Sequence, residues 1–197
     1  MLVRRGFVVM VSALTLVLVA SGTANARETV ARDGRGDVWR SDSPAQADPS
    51  PRTRNGDVVR TWFRHGRHNV VITSRYVDLA RVGRYAQYAS HLQTGSRVFR
   101  EVRVETGPRS WRGRIRVFDG RGNLVPCRAT HRIRYDANTV RILVPRSCLG
   151  TARLGPPRQV RANAVNHWAD RSGTFFTDNP HNRRASVRGW TRWIRTG

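Results

Sequence analysis

The two cysteines of the chain, Cys127 and Cys148, flank a pair of predicted β-strands and limit how this stretch can fold. Segments 130–135 (THRIRY) and 140–144 (VRILV) show alternating apolar and polar residues or a continuous apolar run. The Asp-Ala-Asn-Thr between them is typical of a turn. If Tyr135 faces Val140, the numbers of facing residues sum to 275, and Cys127 with Cys148 give the same sum. The spacing therefore predicts a disulfide, which would close a loop of about 20 residues and stabilise the fold by roughly 3 kcal/mol.

Short segments with strand-like alternation recur along the rest of the chain. A turn signal appears every 8 to 15 residues, and no helix–strand alternation is evident. One stretch, 76–94, fits either an amphipathic helix or a turn followed by a strand, and its strand neighbours favour the second. The pattern predicts an all-β fold, an antiparallel two-sheet sandwich of about eight or nine strands with one disulfide. The predicted segments are 58–64, 69–76, 98–105, 113–118, 159–167 and 186–195, with a polar loop at 168–184.

Residues 1–26 have the layout of a secretory signal peptide. Arg4 and Arg5 precede an apolar run at 7–20, and Ala-Asn-Ala at 24–26 supplies small residues for cleavage. An apolar run of about 14 residues is shorter than the roughly 20 that a membrane-spanning helix needs. The arginine pair also fits a twin-arginine signal, although Sec export is favoured. The mature chain is therefore predicted to lack a transmembrane segment.

The mature chain divides into a polar arm and one domain. Residues 27–56 are rich in Pro, Ser, Asp and Arg, and are predicted to be mostly irregular with one short strand near Val38. Residues 57–197 hold the regular patterns and form the β-sandwich domain. No His or Cys pair has the C-x-x-C spacing of a zinc site, so the two cysteines favour a disulfide in an oxidising compartment. We expect a secreted, extracellular protein, either free or associated with the cell envelope.

The charge of the chain is strongly positive. All 36 basic residues are arginine, and 13 acids leave a net charge of +23, or +21 without Arg4 and Arg5. Such a surface attracts nucleic acid, anionic wall polymers and acidic lipids through counterion release and arginine–phosphate pairing. A GC-rich genome would also convert lysine to arginine, but this does not by itself explain the excess of bases over acids. Both explanations remain open at this stage.

Arginine and tryptophan alternate at two places, 60–64 and 188–195. Planar cations interleaved with aromatic rings suit stacking on sugars or on single-stranded nucleic acid. The alternative is that Trp62 and one terminal tryptophan belong to the core while the arginines face water. The pattern makes five residues candidate polyanion contacts: Arg60, Arg64, Arg188, Trp190 and Arg192.

The common catalytic motifs are missing from the chain. There is no G-x-S-x-G, no H-E-x-x-H and no Gly-rich phosphate loop ahead of a helix. No catalytic residue and no cofactor is therefore predicted. Two alternatives to a binding module are a secreted hydrolase with a site near His65, His68 and His167, and an inert structural envelope protein.

Acidic residues give two further hypotheses. Asp33, Asp37 and Asp57 could meet at one end of a sheet and hold calcium through oxygen ligands. Their spacing lacks the D-x-D-x-D-G order of a calcium loop, so Asx turns are the default interpretation and no metal site is predicted. Glu101 and Glu105 share one face of a strand about 13 Å apart, which is too far for paired carboxylate catalysis. We expect them to pair with outward arginines such as Arg103 on neighbouring strands.

Five features occur together in this chain: a signal peptide, an early Gly-Asp-Val at 36–38 or 56–58, the Cys127 strand, the segment VPRSCLG at 144–150 and an Arg-x-Gly terminus. In this combination the chain resembles small secreted actinobacterial proteins of uncharacterised function. The resemblance covers most of the mature chain and implies an extracellular β-sandwich held by one disulfide, with no catalytic residue. The arm at 41–55 and the terminal tryptophans depart from it. The sequence thus favours a secreted, non-catalytic module that binds a polyanionic surface.

Overall fold

Alternation of apolar and polar residues produces β-strands through most of the chain. The computed structural model describes residues 27–43, 46–181 and 189–197, so the predicted signal peptide and Arg188 lie outside the described residues. No helix in these ranges is long and apolar enough to cross a membrane. The strands found there are β1 (Arg27–Arg32), β2 (Trp39–Ser43), β3 (Gln46–Pro49), β4 (Val58–His65), β5 (Asn69–Tyr76), β6 (Tyr85–Thr94), β7 (Phe99–Gly107), β8 (Ser110–Asp119), β9 (Thr130–Arg134), β10 (Thr139–Pro145), β11 (Gln159–Ala169), β12 (Phe175–Asp178) and β13 (Ile194–Arg195).

The strands form two antiparallel sheets. The five-stranded sheet has the order β1-β4-β5-β10-β9, and the eight-stranded sheet has the order β3-β2-β12-β11-β6-β7-β8 with β13 paired to β11. The predicted two-sheet sandwich is confirmed, with thirteen strands in the described ranges where the sequence predicts eight or nine. The stretch 76–94 is a turn followed by β6, as its strand neighbours indicated.

The core lies between the inner faces of the two sheets. The five-stranded sheet contributes Phe63 and Ile72, and the eight-stranded sheet contributes Leu92 and Val102, all at most 1% exposed. Fully burying side chains of this size stabilises a fold by roughly 1.5–3 kcal/mol each. Because inward and outward residues alternate along each strand, the polar residues between them are left on the two outer faces of the sandwich.

Cys127 and Cys148 form the predicted disulfide, with a Cα–Cα distance of 5.5 Å. The predicted register beside it is wrong by two residues, since Val140 faces Ile133 and not Tyr135. The ladder ends at Leu143, and Cys148 lies beyond it in a short 3-10 helix, Arg146–Leu149. The cross-link therefore joins irregular chain to this helix and does not require the exact ladder register.

Two expected loop regions contain strands. The arm at 27–56 was expected to be mostly irregular, but β1, β2 and β3 lie within it, and β1 pairs along β4. The loop expected at 168–184 contains β12, because Phe176 stacks on Trp168 with ring centres 4.2 Å apart and extends the sheet. In both cases a neighbouring strand edge supplies hydrogen bonds that local composition does not reveal.

Candidate polyanion-binding face

The outer face of the five-stranded sheet concentrates positive charge. Strand register places its outward residues in three rows, each crossing all five strands. We call these fifteen residues the basic face, and they include seven arginines and one acid, Glu28. The first row is Arg32, Arg60, Arg75, Thr139 and Arg134; the second is Val30, Trp62, Thr73, Arg141 and Arg132; the third is Glu28, Arg64, Val71, Leu143 and Thr130.

The arginines of the basic face lack acidic partners. All seven side chains are exposed, and only Arg134 makes an ion pair among the described residues, with Asp136 in the adjoining turn at 3.0 Å. From strand spacing, the face measures about 20 Å across the strands and about 13 Å along them. It is therefore a continuous positive surface large enough to contact several anionic groups of one polymer.

Trp62 lies at the centre of this face and is half-buried, so the alternative that it belongs to the core is wrong. The Arg60 guanidinium lies 5.5 Å from the centre of the Trp62 ring. An open groove of about 540 Å³ runs beside the ring, and its lining includes Arg64, Arg75 and Arg141. An aromatic ring among arginines offers both a stacking surface and charge, as the sequence pattern suggested.

A second cavity adjoins the groove at the first row. It has a volume of about 380 Å³, and we call it the basic pocket. Four arginines line it together with backbone and apolar groups: Arg35, Arg54, Arg60 and Arg75. Arg75 and Ala137 line both cavities. The two cavities therefore share part of their lining, and each is lined by several arginines.

The outer face of the eight-stranded sheet has a different charge pattern. Arg103 donates to Glu101 at 2.6 Å, and Arg116 lies 3.8 Å from Glu105. The predicted pairing with an arginine on a neighbouring strand is confirmed for Glu105, whereas Glu101 pairs with Arg103 of its own strand. Arginine is abundant on both faces, but the acids that balance it are found on this one.

The C-terminal candidates do not join the basic face. Trp190 and Arg192 belong to the segment that runs beside β11 of the eight-stranded sheet, where Thr191 bonds to the Ala162 backbone. Arg161 lies over Trp190 at 5.1 Å and over Trp193 at 5.2 Å from their ring centres. Trp190 therefore stacks on a residue of its own chain, and the structure separates it and Arg192 from Arg60 and Arg64.

The three histidines of the hydrolase alternative do not converge on one site. His65 is fully buried, and its Nδ1 lies 3.0 Å from the Ile194 carbonyl oxygen. His68 is exposed in the turn between β4 and β5, whereas His167 lies on the outer face of the other sheet beside Thr177. Burial lowers the pKa of His65 below its usual value, and that of His167 to about 4. Their positions provide no shared space for a substrate.

Carboxylates do converge at another place. Asp33, Asp37 and Asp178 each offer an oxygen within 4.8 Å of the others. Asp57 is close by, since its Oδ2 accepts the Gly36 N–H at 2.8 Å. The sequence singled out Asp33, Asp37 and Asp57 but not Asp178, which follows them by more than a hundred residues and has no local motif.

Sequence reasoning found Arg60 and Arg64 but missed most of the basic face. Arg75 and Arg141 are outward residues of predicted strands, and strand alternation alone could have assigned them to an outer face. What the sequence does not indicate is that β5 and β10 are neighbours, because a long stretch of chain separates them. Family models, curated proteins and solved structures give no match to this chain.

Proposed function

We propose that this protein is a secreted, non-catalytic β-sandwich module that binds polyanionic polymers through the basic face. The observation that carries the proposal is the row Arg32, Arg60 and Arg75, in which arginines lie directly opposite one another on three adjacent strands. Like charges in that position destabilise a sheet, at about 0.2–1 kcal/mol for each pair. A phosphate, sulfate or carboxylate polymer lying across the row would supply the missing countercharge.

Composition alone does not account for this arrangement. Replacement of lysine by arginine would preserve the pairing of bases with acids, as seen for Arg103 with Glu101 on the opposite face. On the basic face Glu28 is the one acid among fifteen outward residues. The asymmetry between the two faces supports a binding role for one of them.

Secretion is part of the same proposal. The disulfide between Cys127 and Cys148 suits an oxidising compartment, and the first 26 residues have the layout of a signal peptide. Outside the cell, anionic wall polymers and released nucleic acid are the polyanions at hand. They share a backbone of negative charge, which is the chemistry that the arginines would recognise.

Two triple variants with equal net charge test the proposal. The first replaces Arg60, Arg64 and Arg141 with glutamine and removes charge from the basic face. The second replaces three exposed arginines outside it with glutamine: Arg109, Arg121 and Arg192. Affinity for a DNA duplex is measured across a salt titration, with an anionic wall polymer as competitor.

If each of the three arginines contacts a phosphate, the first variant loses affinity on the order of 100-fold at about 0.15 M salt, and its salt slope falls by about 2.7. The second variant binds like the wild-type protein. Equal losses in both variants would show that net charge, and not the face, drives binding. No saturable binding by the wild-type protein at this salt concentration would favour the inert structural alternative. Competition by the wall polymer shows whether it occupies the same surface as DNA.

A further inference from the structure

Four aspartates meet at one end of the sandwich, close to the first row of the basic face. Asp33 and Asp37 lie in the loop between β1 and β2, Asp57 directly precedes β4, and Asp178 ends β12. One carboxylate oxygen from each of Asp33, Asp37 and Asp178 lies within 4.8 Å of the others. The cluster therefore joins both sheets, since β1 and β4 belong to one and β12 to the other.

Two of these carboxylates are almost completely removed from water. Asp57 is 2% exposed and Asp178 is 3% exposed. Asp178 accepts the Val58 N–H at 2.5 Å and the Asn179 N–H at 2.8 Å, so both of its oxygens have backbone donors. Asp57 directs its carboxylate at the loop that carries Asp33 and Asp37, since its Oδ2 accepts the Gly36 N–H. Its Oδ1 is buried and accepts no hydrogen bond.

Further oxygens in the cluster lack a donor. Asp33 Oδ2 and Asp37 Oδ1 are buried and accept no hydrogen bond from a protein N–H or hydroxyl. Asn166, which is 1% exposed, lies directly opposite Asp178 on β11, and its Oδ1 is also unpartnered. A buried carboxylate oxygen without a partner costs several kcal/mol unless a cation or a proton compensates it. The site thus presents several uncompensated oxygens of mixed type.

No arginine forms an ion pair with the cluster in the part of the chain that the structure describes. Within the described ranges, none of the four aspartates makes an ion pair within 4.0 Å, although the chain has 36 basic residues. Burial, followed by the charges of Asp178 and Asp37, raises the pKa of Asp33 far above its usual value. Burial likewise raises the pKa of Asp178 to about 7.

The loop is built so that these carboxylates can approach one another. Gly36 has φ of +75°, and a Cβ there would lie 2.9 Å from the Pro51 carbonyl oxygen. At Gly34 a Cβ would lie 3.2 Å from Asp37 Oδ2. Side chains at these two positions would force the loop open. Glycine therefore allows Asp33 and Asp37 to face the same point.

We propose that Asp33, Asp37, Asp57 and Asp178 form a calcium-binding site that ties the two sheets together. Carboxylate and amide oxygens on an irregular loop suit calcium, which accepts six to eight oxygen ligands in flexible geometry. Magnesium fits less well, because it requires near-octahedral geometry and keeps its water ligands. A proton shared between Asp33 and Asp37 would neutralise one charge and leave the other carboxylates uncompensated. This inference is independent of the proposed function of the basic face.

The test measures calcium binding and thermal unfolding of the purified protein. Calorimetric titration with calcium chloride is expected to give a single site with Kd of about 10⁻⁴–10⁻³ M, the range of extracellular calcium modules. Calcium at a hundredfold excess over Kd is expected to raise Tm by about 5 to 10 °C relative to the protein in EDTA. The key variant is Asp37→Asn, which removes one carboxylate and leaves the hydrogen bonds to Gly36 and Val58 in place. The matched control is Asp119→Asn, in the exposed turn at the end of β8, which is far along the eight-stranded sheet from β12.

Asp37→Asn is expected to abolish the calcium response. In EDTA it is expected to unfold at the same temperature as the wild-type protein or higher, because it removes a repulsive charge. That result also shows that the variant folds. Asp119→Asn keeps the full calcium response. The inference is overturned if calcium neither binds nor shifts Tm in the wild-type protein, if Asp37→Asn retains the shift, or if magnesium gives an equal one.

Discussion

Arg60 and Arg75 lie directly opposite each other on β4 and β5, with both side chains exposed on the basic face. Arg32 lies beside Arg60 on the next strand, so three guanidinium groups share one row. A fold selected for stability alone would place an acid or a neutral residue at one of these positions. The row therefore suggests that binding and stability impose opposite requirements on the same residues.

Arg75→Thr is expected to separate these two requirements. It should raise the free energy of unfolding by about 0.2–1 kcal/mol at low salt, because it removes a repulsive cross-strand pair, and it should weaken DNA binding. Urea unfolding at about 0.01 M and about 1 M salt checks the first effect, since screening at high salt should remove the gain. Arg114→Thr is the control, because Arg114 faces Glu105 and its loss should not stabilise the fold. A stability gain that is equal in both variants would contradict repulsion as the cause.

Calcium and polyanion binding are expected to be coupled through Arg35. This residue lies in the loop between Asp33 and Asp37 and also lines the basic pocket. If both proposals hold, an ion that fixes the loop should also fix Arg35, so calcium should raise DNA affinity several-fold, and DNA should raise calcium affinity by the same factor. Fluorescence anisotropy with labelled DNA in calcium or EDTA measures the effect.

Arg35→Gln is the variant that isolates this coupling. It keeps all four aspartates, so calcium should still raise its Tm, while calcium should change its DNA affinity little. Arg132→Gln, on the far strand of the basic face, serves as the control and should retain the calcium effect on DNA. If calcium enhances DNA binding of Arg35→Gln as strongly as that of the wild-type protein, the coupling runs through another residue.

His167 is expected to make stability depend on pH. Its ring Nδ1 lies 2.9 Å from Thr177 Oγ1 on β12, and it faces His91 on β6 and Glu101 and Arg103 on β7. Burial, with a contribution from His91, lowers its pKa to about 4, whereas the unfolded chain has the usual value near 6.5. As pH falls, the unfolded state therefore binds a proton at higher pH than the folded state does. The contribution of neutral His167 to the free energy of unfolding, about 3 kcal/mol, is lost as pH falls from about 6.5 to about 4.

His167→Gln should flatten the decline in stability over that range, as measured by urea unfolding at a series of pH values. His65 and His181 are also held below their usual pKa by burial, so part of the decline should remain. His68→Gln, in the exposed turn, should leave the profile as in the wild-type protein. A profile for His167→Gln that coincides with the wild type would show that this histidine is not responsible.

Trp190→Ala is expected to reduce stability and not polyanion affinity. Trp190 lies under Arg161 and makes an edge contact with Phe99, with ring centres 6.4 Å apart. Removing a half-buried ring with these contacts should cost about 2 kcal/mol, while DNA affinity should change less than about twofold because the basic face is on the other sheet. Urea unfolding and DNA titration test this together. A large loss of affinity at unchanged stability would restore Trp190 as a contact residue.

The fold class was predictable because strands and turns are indicated by neighbouring residues in the chain, through the alternation of apolar and polar residues and through turn-forming residues. The hairpin of β4 and β5 is visible in the sequence, and the spacing of Cys127 and Cys148 gave the correct disulfide despite a register error of two residues. Asp33, Asp37 and Asp57 were singled out as residues that could meet at one end of a sheet, although the sequence predicts no metal site. These features required no knowledge of distant strand partners.

The missed features all depend on distant pairings. Asp178 reaches the cluster because β12 carries it, and its bond to the Val58 N–H joins residues 120 apart in sequence. Arg141 reaches the basic face because β10 lies beside β5. Trp190 carried the same arginine–tryptophan signal as Trp62, yet the fold uses its ring internally. Which residues meet is determined by which strands are neighbours in each sheet. No local signal in one sequence specifies that order.

The pairing of β2 with β12 bears on how this protein acquires its structure. One edge of β2 has no strand partner until residues 175–177 have been synthesised. Val160 of β11 likewise lacks its partner in β13 until Ile194 has been synthesised. During synthesis, β2 would therefore emerge with an unpaired strand edge, and the eight-stranded sheet could not be completed until nearly the whole chain is available. Folds dominated by such distant contacts form slowly, in milliseconds to seconds. If the protein is secreted as we propose, slow closure would leave time for the unfolded chain to pass through a membrane pore.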